Sequence, residues 1–160
     1  TASEGPVAAL SLVAMGVMIA VKNNGRALLL MHGVILAGCA LLGLSTLAFQ
    51  QGLMSPIAWM IAGGAGLYLA YTPFNAMLFD RMVAYSGTVA TAGFLIYLAD
   101  ATGYLGSVAL LLFKNFAVVD LPWLPFFTGA AYATSLAGLV LVGGSALLFL
   151  RGRRDGAAST

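Results

Sequence analysis

The stretch from Thr88 to Lys114, TVATAGFLIYLADATGYLGSVALLLFK, decides the fold class, because it is long enough to cross a bilayer and holds a carboxylate near its middle. About 20 apolar residues span the hydrocarbon core as a helix, so Asp100 is predicted to lie close to the midplane. An ionisable side chain at that depth costs at least about 2.5–3.5 kcal/mol on insertion scales and normally faces a bundle interior or water. The stretch therefore predicts a membrane helix with one polar face.

The composition of the whole chain agrees with a membrane protein. Of its 160 residues, 61% are hydrophobic and only 8% are charged, whereas soluble domains carry about 25% charged residues. The formal net charge of +2 is too small to indicate nucleic acid as a partner. We therefore expect an all-α, polytopic transmembrane helix bundle with the lipid bilayer as its main partner.

Polar and turn-forming residues divide the chain into about five predicted spans. The clearest interruptions are Lys22 to Arg26, Gln50 to Gly52 and Ser86-Gly87. The transmembrane bundle is predicted over residues 1–150, and a basic cytoplasmic tail over residues 151–160. The approximate spans are 7–21, 27–49, 56–84, 88–114 and 122–150.

The distribution of Lys and Arg gives an orientation. With five spans, one side collects six basic residues and the other has only Lys114. The six are Lys22, Arg26, Arg81, Arg151, Arg153 and Arg154. The positive-inside rule then places the N-terminus of this segment outside and its C-terminus in the cytoplasm, in a multi-pass protein of the inner membrane. An outward N-terminus without a signal sequence predicts that missing N-terminal helices of the same protein precede this segment and pack against it.

Two groups of polar residues are candidates for a site. On the fourth span, Tyr97, Asp100 and Tyr104 share one helical face. On the third span, Pro73 should kink the helix and free a carbonyl one turn back. The polar residues around Pro73 either serve this kink or face a cavity shared with Asp100. The candidates for substrate or proton binding are Asp100, Tyr97, Tyr104, Asn75, Thr72 and Tyr68.

Asp100 itself has two interpretations. It is either a structural residue paired with a group elsewhere in the protein, or a functional residue that carries a proton or binds a cationic substrate.

The adjacent Asp80 and Arg81 are predicted as a charge pair at a gate or turn, or as a solvated pair of little energetic weight. His32 is interpreted as a hydrogen-bonded histidine rather than a proton relay, and Cys39 as a small buried hydrophobe.

The chain has few residues that could act as catalytic groups or metal ligands. The chain holds one histidine and one cysteine, and no P-loop, Rossmann fingerprint, metal-ligand spacing or Ser/His/Asp set can be assembled from it. We therefore expect no cofactor, no metal and no enzymatic activity.

Two longer strings resemble a known group of membrane proteins. These are GLYLAYTPFNAMLFDRMVA, which begins at Gly66, and GFLIYLADATGYLGSVALLLFKNF, which begins at Gly93. Over roughly Thr46 to Phe127 the chain resembles the C-terminal half of an uncharacterised bacterial membrane-protein family related to the major facilitator superfamily (MFS). The resemblance implies that the five spans correspond to helices eight to twelve of an MFS transporter, with the spans of Pro73 and Asp100 lining a central cavity.

The function expected from this resemblance is transport. The chain would be part of an MFS-like secondary transporter that moves a small-molecule substrate by alternating access. The alternative is a non-transporting membrane scaffold or sensor that has the same fold. Fold analogy alone does not choose between the two.

Overall fold

The computed structural model describes residues 4–87, 91–117 and 120–158, with the exception of the side chains of residues 4, 75, 76 and 153–158. These ranges contain helices and short connections and no strand, which confirms the all-α prediction. Two π-helical segments, Phe74–Leu78 and Phe113–Ala117, follow the third and fifth helices directly. The α-helices are α1 (Glu4–Ala20), α2 (Asn24–Gln50), α3 (Pro56–Pro73), α4 (Phe79–Ser86), α5 (Ala92–Leu112) and α6 (Trp123–Ala158).

Within the described part of the chain, three helical stretches are long and apolar enough to cross a membrane. They are Asn24–Gln50, Ala92–Ala117 and Trp123–Gly152. A shorter apolar helix covers Gly5–Ala20. These lengths and compositions are those of a membrane protein, and the count of five spans stays a prediction.

Helix boundaries differ from the predicted ones where capping is decisive. α2 begins at Asn24 rather than residue 27, because the Asn23 side chain accepts a hydrogen bond of 3.0 Å from the Arg26 backbone N–H and caps the helix. α6 continues through Ala158, beyond the predicted start of the tail at residue 151. Residues 151–158 contain no proline, and their Arg and Ala residues favour helix, whereas Gly152 and Gly156 do not. The predicted first residue of the fourth span, Thr88, lies outside the described residues.

α2 is the central helix of the bundle. It packs against α3 on one side and α6 on the other, and α1 lies mainly against α3. A buried apolar cluster joins the start of α2 to the end of α1 and to the first π-helical segment. Its fully or nearly buried members are Met18, Ala27, Leu28, Met31 and Leu78.

Two glycines allow α2 and α3 to touch backbone to backbone. A Cβ on Gly38 would lie 2.6 Å from the Gly66 carbonyl oxygen, and a Cβ on Gly66 would lie 2.7 Å from the Gly38 carbonyl oxygen. Small residues permit this close approach in membrane bundles. Gly33 and Ala37 have the spacing of a small-residue contact stripe on α2, but both are exposed. The true contact lies at Gly38, on a different face of the helix.

Polar and aromatic contacts fasten each end of the bundle. At one end, the Trp59 ring stacks on Phe49 with centroids 4.4 Å apart, and its Nε1–H donates to the Thr46 hydroxyl over 3.1 Å. At the other end, the Tyr85 ring packs against Gly25 and lies 5.0 Å from the Phe149 ring. The start of α2, the end of α4 and the distal part of α6 therefore meet at one end of the bundle.

α5 stands apart from this packing. Its principal helix neighbour is α4, beyond its own π-helical continuation. Of the residues described in α5, none is buried. This helix therefore presents most of its circumference outward, and its polar face is accessible from outside the chain.

Candidate functional site

Asp100 lies near the middle of α5. It is the ninth of the 21 residues in Ala92–Leu112, and its side chain is half-buried. Because α5 and its π-helical continuation are long and apolar enough to cross a membrane, the carboxylate stands well away from both helix ends.

The recorded partner of this carboxylate is Tyr71 on α3. The Tyr71 hydroxyl donates to Asp100 Oδ1 over 3.3 Å, which is long for a hydrogen bond between two oxygens. The contact joins α3 to α5 at this level. An ionised carboxylate has room for about four hydrogen bonds, so one long bond from a neutral hydroxyl leaves most of its accepting capacity open.

The other predicted site residues are arranged around this contact on an open surface. Tyr97 and Tyr104 on α5 are 78% and 73% exposed, and Tyr68 on α3 is 56% exposed. Thr72 is half-buried. Asn75 belongs to the π-helical segment Phe74–Leu78, and its side chain lies outside the described part of the chain. The tyrosines therefore form an accessible face and do not line a closed cavity.

Tyr71 stands next to the point where the third helix becomes irregular. α3 ends at Pro73, which is fully buried, and the backbone continues in π geometry. Proline removes one backbone donor and clashes with the preceding turn, and π segments occur frequently at functional sites. The partner of Asp100 therefore lies two residues before the point where α3 gives way to π geometry, and a change in bend at that point would alter the contact with α5.

The predicted charge pair takes a different form. Arg81 Nη1 donates to Asn24 Oδ1 over 2.8 Å. Asp80 is exposed, and no ion pair between Asp80 and Arg81 is recorded among the described residues. Arg81 thus ties the start of α4 to the start of α2, which holds the turn by a hydrogen bond to a different helix.

His32 connects α2 with α6. Its Nδ1 lies 2.7 Å from the Leu28 carbonyl oxygen and its Nε2 lies 3.1 Å from the Ser145 hydroxyl. A carbonyl can only accept, so Nδ1 carries the proton in this contact, and Nε2 can accept from Ser145 if the imidazole is neutral. The ring also stacks on Phe149. Nδ1 is thus bonded within α2 and Nε2 joins α2 to α6, which favours the structural interpretation of His32.

Cys39 is buried at the interface of α2 and α6, where the Ser135 hydroxyl donates to its backbone carbonyl over 2.7 Å. A Cβ built on Gly138 would clash with Cys39 Sγ. This thiol fills space at a close helix contact, as a small hydrophobe does.

Lys114 makes a buried contact with aromatic rings that is not predicted from the sequence. It is only 4% exposed, and its Nζ lies 4.9 Å from the centroid of the Trp123 ring and 5.9 Å from that of Phe126. An ammonium within about 6 Å of an aromatic ring is attracted by the ring quadrupole. In the sequence, this contact is indicated only by a lysine at the end of an apolar helix, a few residues before a helix that begins with aromatic residues. That pattern is too common to predict the contact.

Among the described side chains, no group of three or more His, Cys, Asp or Glu residues lies close enough together to hold a metal ion. The site is therefore defined by one carboxylate and several phenols.

Comparison with known proteins gives a family and no function. A family model matches residues 1–152 and is described as a family of unknown function (DUF5690). No curated protein and no solved structure matches the chain. The family match covers both the Asp100 helix and the Pro73 segment.

Proposed function

The chain belongs to this family of unknown function, and from its own residues we propose that it is part of a secondary transporter of MFS-like plan, which moves a small solute by alternating access. In this proposal Asp100 binds the substrate or the coupling ion, and the irregular segment after Pro73 lets the third helix move. Tyr68, Thr72, Asn75, Tyr97 and Tyr104 contribute to the surroundings of Asp100.

The observation that carries the proposal is the contact between Tyr71 and Asp100. A carboxylate within an apolar helix is expensive, and its recorded partner is a neutral hydroxyl 3.3 Å away. That hydroxyl lies beside a proline followed by a π segment. Interrupted helices that line central sites are a recurring feature of transporters. A charged residue next to a deformable helix is what a binding site that changes its exposure requires.

The arrangement of the helix ends supports the proposed orientation. Five antiparallel spans require the start of α2 and the end of α4 to lie at one face of the membrane. The contacts of Arg81 with Asn24 and of Tyr85 with Gly25 join those ends. The same end carries Lys22 and Arg26, so we propose that it is cytoplasmic. The bilayer and further helices of the same protein would then cover α5.

Cysteine accessibility tests the proposal without knowledge of the substrate. In the full-length protein with Cys39→Ser, Thr72→Cys is exposed to a membrane-impermeant methanethiosulfonate reagent in right-side-out and inside-out vesicles. Alternating access predicts labelling from both sides, because the site opens to each in turn. The matched controls Lys22→Cys and Gln51→Cys lie in connections at opposite ends of α2 and should each react from one side only. Reaction of Thr72→Cys from a single side, or from neither, contradicts transport.

A membrane scaffold or sensor is the second candidate function. The uncovered circumference of α5 favours it, since none of the described residues of that helix is buried and such a face suits a protein or lipid partner. In a scaffold, Asp100 would be a structural pair with Tyr71. Asp100→Asn would then lower the yield of folded protein, whereas in a transporter it would abolish flux and leave the yield unchanged.

A further inference from the structure

We propose that the face of α3 and α5 around Asp100 binds an organic cation, with the carboxylate facing the positive charge and tyrosine rings contacting the apolar part of the molecule. This inference rests on the proposed transport function, for which it names the substrate class. It follows from the charge around Asp100 and from the kind of side chains that share its face.

Among the described side chains, no basic residue forms an ion pair with Asp100. Its recorded contact is the neutral Tyr71 hydroxyl. Lys114, on the continuation of the same helix, is 14 residues away, or about 21 Å along the axis, and packs over Trp123 and Phe126. Arg81 donates to Asn24 at the end of the bundle.

The remaining described basic side chains also lie far from the carboxylate. Lys22 and Arg26 flank the start of α2, and Arg151 follows Phe149, which packs against Tyr85 at that same end. Since a carboxylate within a membrane span is costly and Tyr71 contributes no positive charge, a bound cation would stabilise the site.

The side chains that share this face are aromatic. Tyr97 and Tyr104 are three residues before and four residues after Asp100, so all three lie on one side of α5. Across the contact, Tyr68 and Tyr71 are three residues apart on α3. More than half the surface of each of these tyrosines is accessible. Tyrosine rings attract ammonium and other onium groups through the ring quadrupole, the same attraction by which aromatic cages recognise quaternary ammonium ligands.

Other small ligands fit these residues less well. A hard metal cation such as Ca²⁺ takes six to eight oxygen ligands, whereas the recorded contact supplies one carboxylate and one hydroxyl. A proton would need the carboxylate alone and gives no role to the exposed rings. An anion would be repelled by Asp100. The combination of one carboxylate with several accessible phenol rings is matched by a charged, partly apolar molecule.

Binding of radiolabelled tetraphenylphosphonium to the purified full-length protein in detergent, measured by equilibrium dialysis, tests this inference. We expect saturable binding that Asp100→Asn weakens at least ten-fold and that Asp100→Glu largely retains. Asp120→Asn, which removes an exposed carboxylate outside the site, is the matched control and should bind like the wild type.

A second pair of variants separates the ring from its hydroxyl. Tyr97→Phe should keep most of the affinity, because the ring remains, whereas Tyr97→Leu should lose about three-fold or more. Size-exclusion profiles and melting temperatures of all variants, compared with the wild type, identify any variant that fails to fold. Equal loss in both Tyr97 variants would overturn the role of the ring.

The outcomes distinguish this inference from the transport proposal. No saturable binding to the wild type, or equal binding by the wild type and Asp100→Asn, overturns the organic-cation site even if Thr72→Cys reacts from both sides of the membrane. Binding that depends on Asp100, together with one-sided reaction of Thr72→Cys, supports the cation site and removes transport as its use.

Discussion

Replacing Gly38 by alanine should separate the two most closely packed helices of the bundle. The new Cβ would lie 2.6 Å from the Gly66 carbonyl oxygen and 2.7 Å from the Ala70 backbone nitrogen. The first distance is about 0.8 Å short of the 3.4 Å at which ordinary contact begins. Both neighbouring atoms belong to the α3 backbone, so no flexible side chain can move aside and α2 and α3 must shift apart.

Two opposing terms set the magnitude. Overpacking a well-packed contact costs about 1–3 kcal/mol, and alanine gains up to about 1 kcal/mol over glycine in a helix. With a rigid backbone on the other side, we expect overpacking to prevail by about 1–2 kcal/mol. For a protein of this size that lowers the melting temperature by about 2–8 °C.

Gly33 supplies the control within the same helix. A Cβ at Gly33 meets nothing within 4 Å, so Gly33→Ala should leave the melting temperature unchanged or raise it by about 2–4 °C. Unfolding can be followed in detergent with a thiol-reactive fluorogenic maleimide, because Cys39 is the single cysteine of this sequence and is 5% exposed. A melting temperature of Gly38→Ala at or above that of Gly33→Ala would refute the backbone contact between α2 and α3.

Three further substitutions test individual contacts between helices. Ser145→Ala removes the hydroxyl partner of His32 and should lower the free energy of unfolding by about 0.5–1.5 kcal/mol, measured by denaturation in mixed micelles; no change would show that this contact is not formed. Trp59→Phe deletes the N–H that donates to Thr46 and retains a stacking ring, so a loss of about 1 kcal/mol is expected by the same measurement, and a loss of several kcal/mol would contradict an effect of the hydrogen bond alone. Lys114→Met should lower the melting temperature more than Lys114→Arg, because arginine preserves the attraction to aromatic rings; equal melting temperatures would argue against that attraction.

The helical class and most helix positions could be predicted because they depend on local composition. Apolar runs long enough to cross a membrane can be recognised directly in the sequence. Gly87 ends α4 with a φ of +63°, as its position in a Ser-Gly turn indicates. The partner faces of the helices could not be predicted in the same way. Gly33 and Gly38 both sit in small-residue patterns on α2, and only the position of α3 determines that Gly38 is the one in contact.

The candidate site was predictable in its carboxylate and not in its partner. Asp100 stands out in the sequence because charge is rare in such a helix. Tyr68 is among the predicted site residues, whereas the hydroxyl that reaches Asp100 belongs to Tyr71. Residues 68 and 71 are one helical turn apart, and which of them meets α5 depends on the rotation of α3. Neighbours along a helix cannot be separated by composition when both are tyrosine.

In the proposed transporter, the energetics of Asp100 would suit a partner that binds and dissociates. Insertion of the carboxylate costs at least about 2.5–3.5 kcal/mol, and a single hydrogen bond from a neutral group returns a net of about 0.5–1.5 kcal/mol, less at 3.3 Å. The contact with Tyr71 therefore leaves part of the cost uncompensated. A permanent structural pair would call for a regular, rigid support, whereas Tyr71 is held two residues from Pro73 and a π segment. If the irregular segment after Pro73 moves as proposed, binding of a cation at Asp100 would also bias the geometry of the third helix, and the proposed alternating access requires such a coupling.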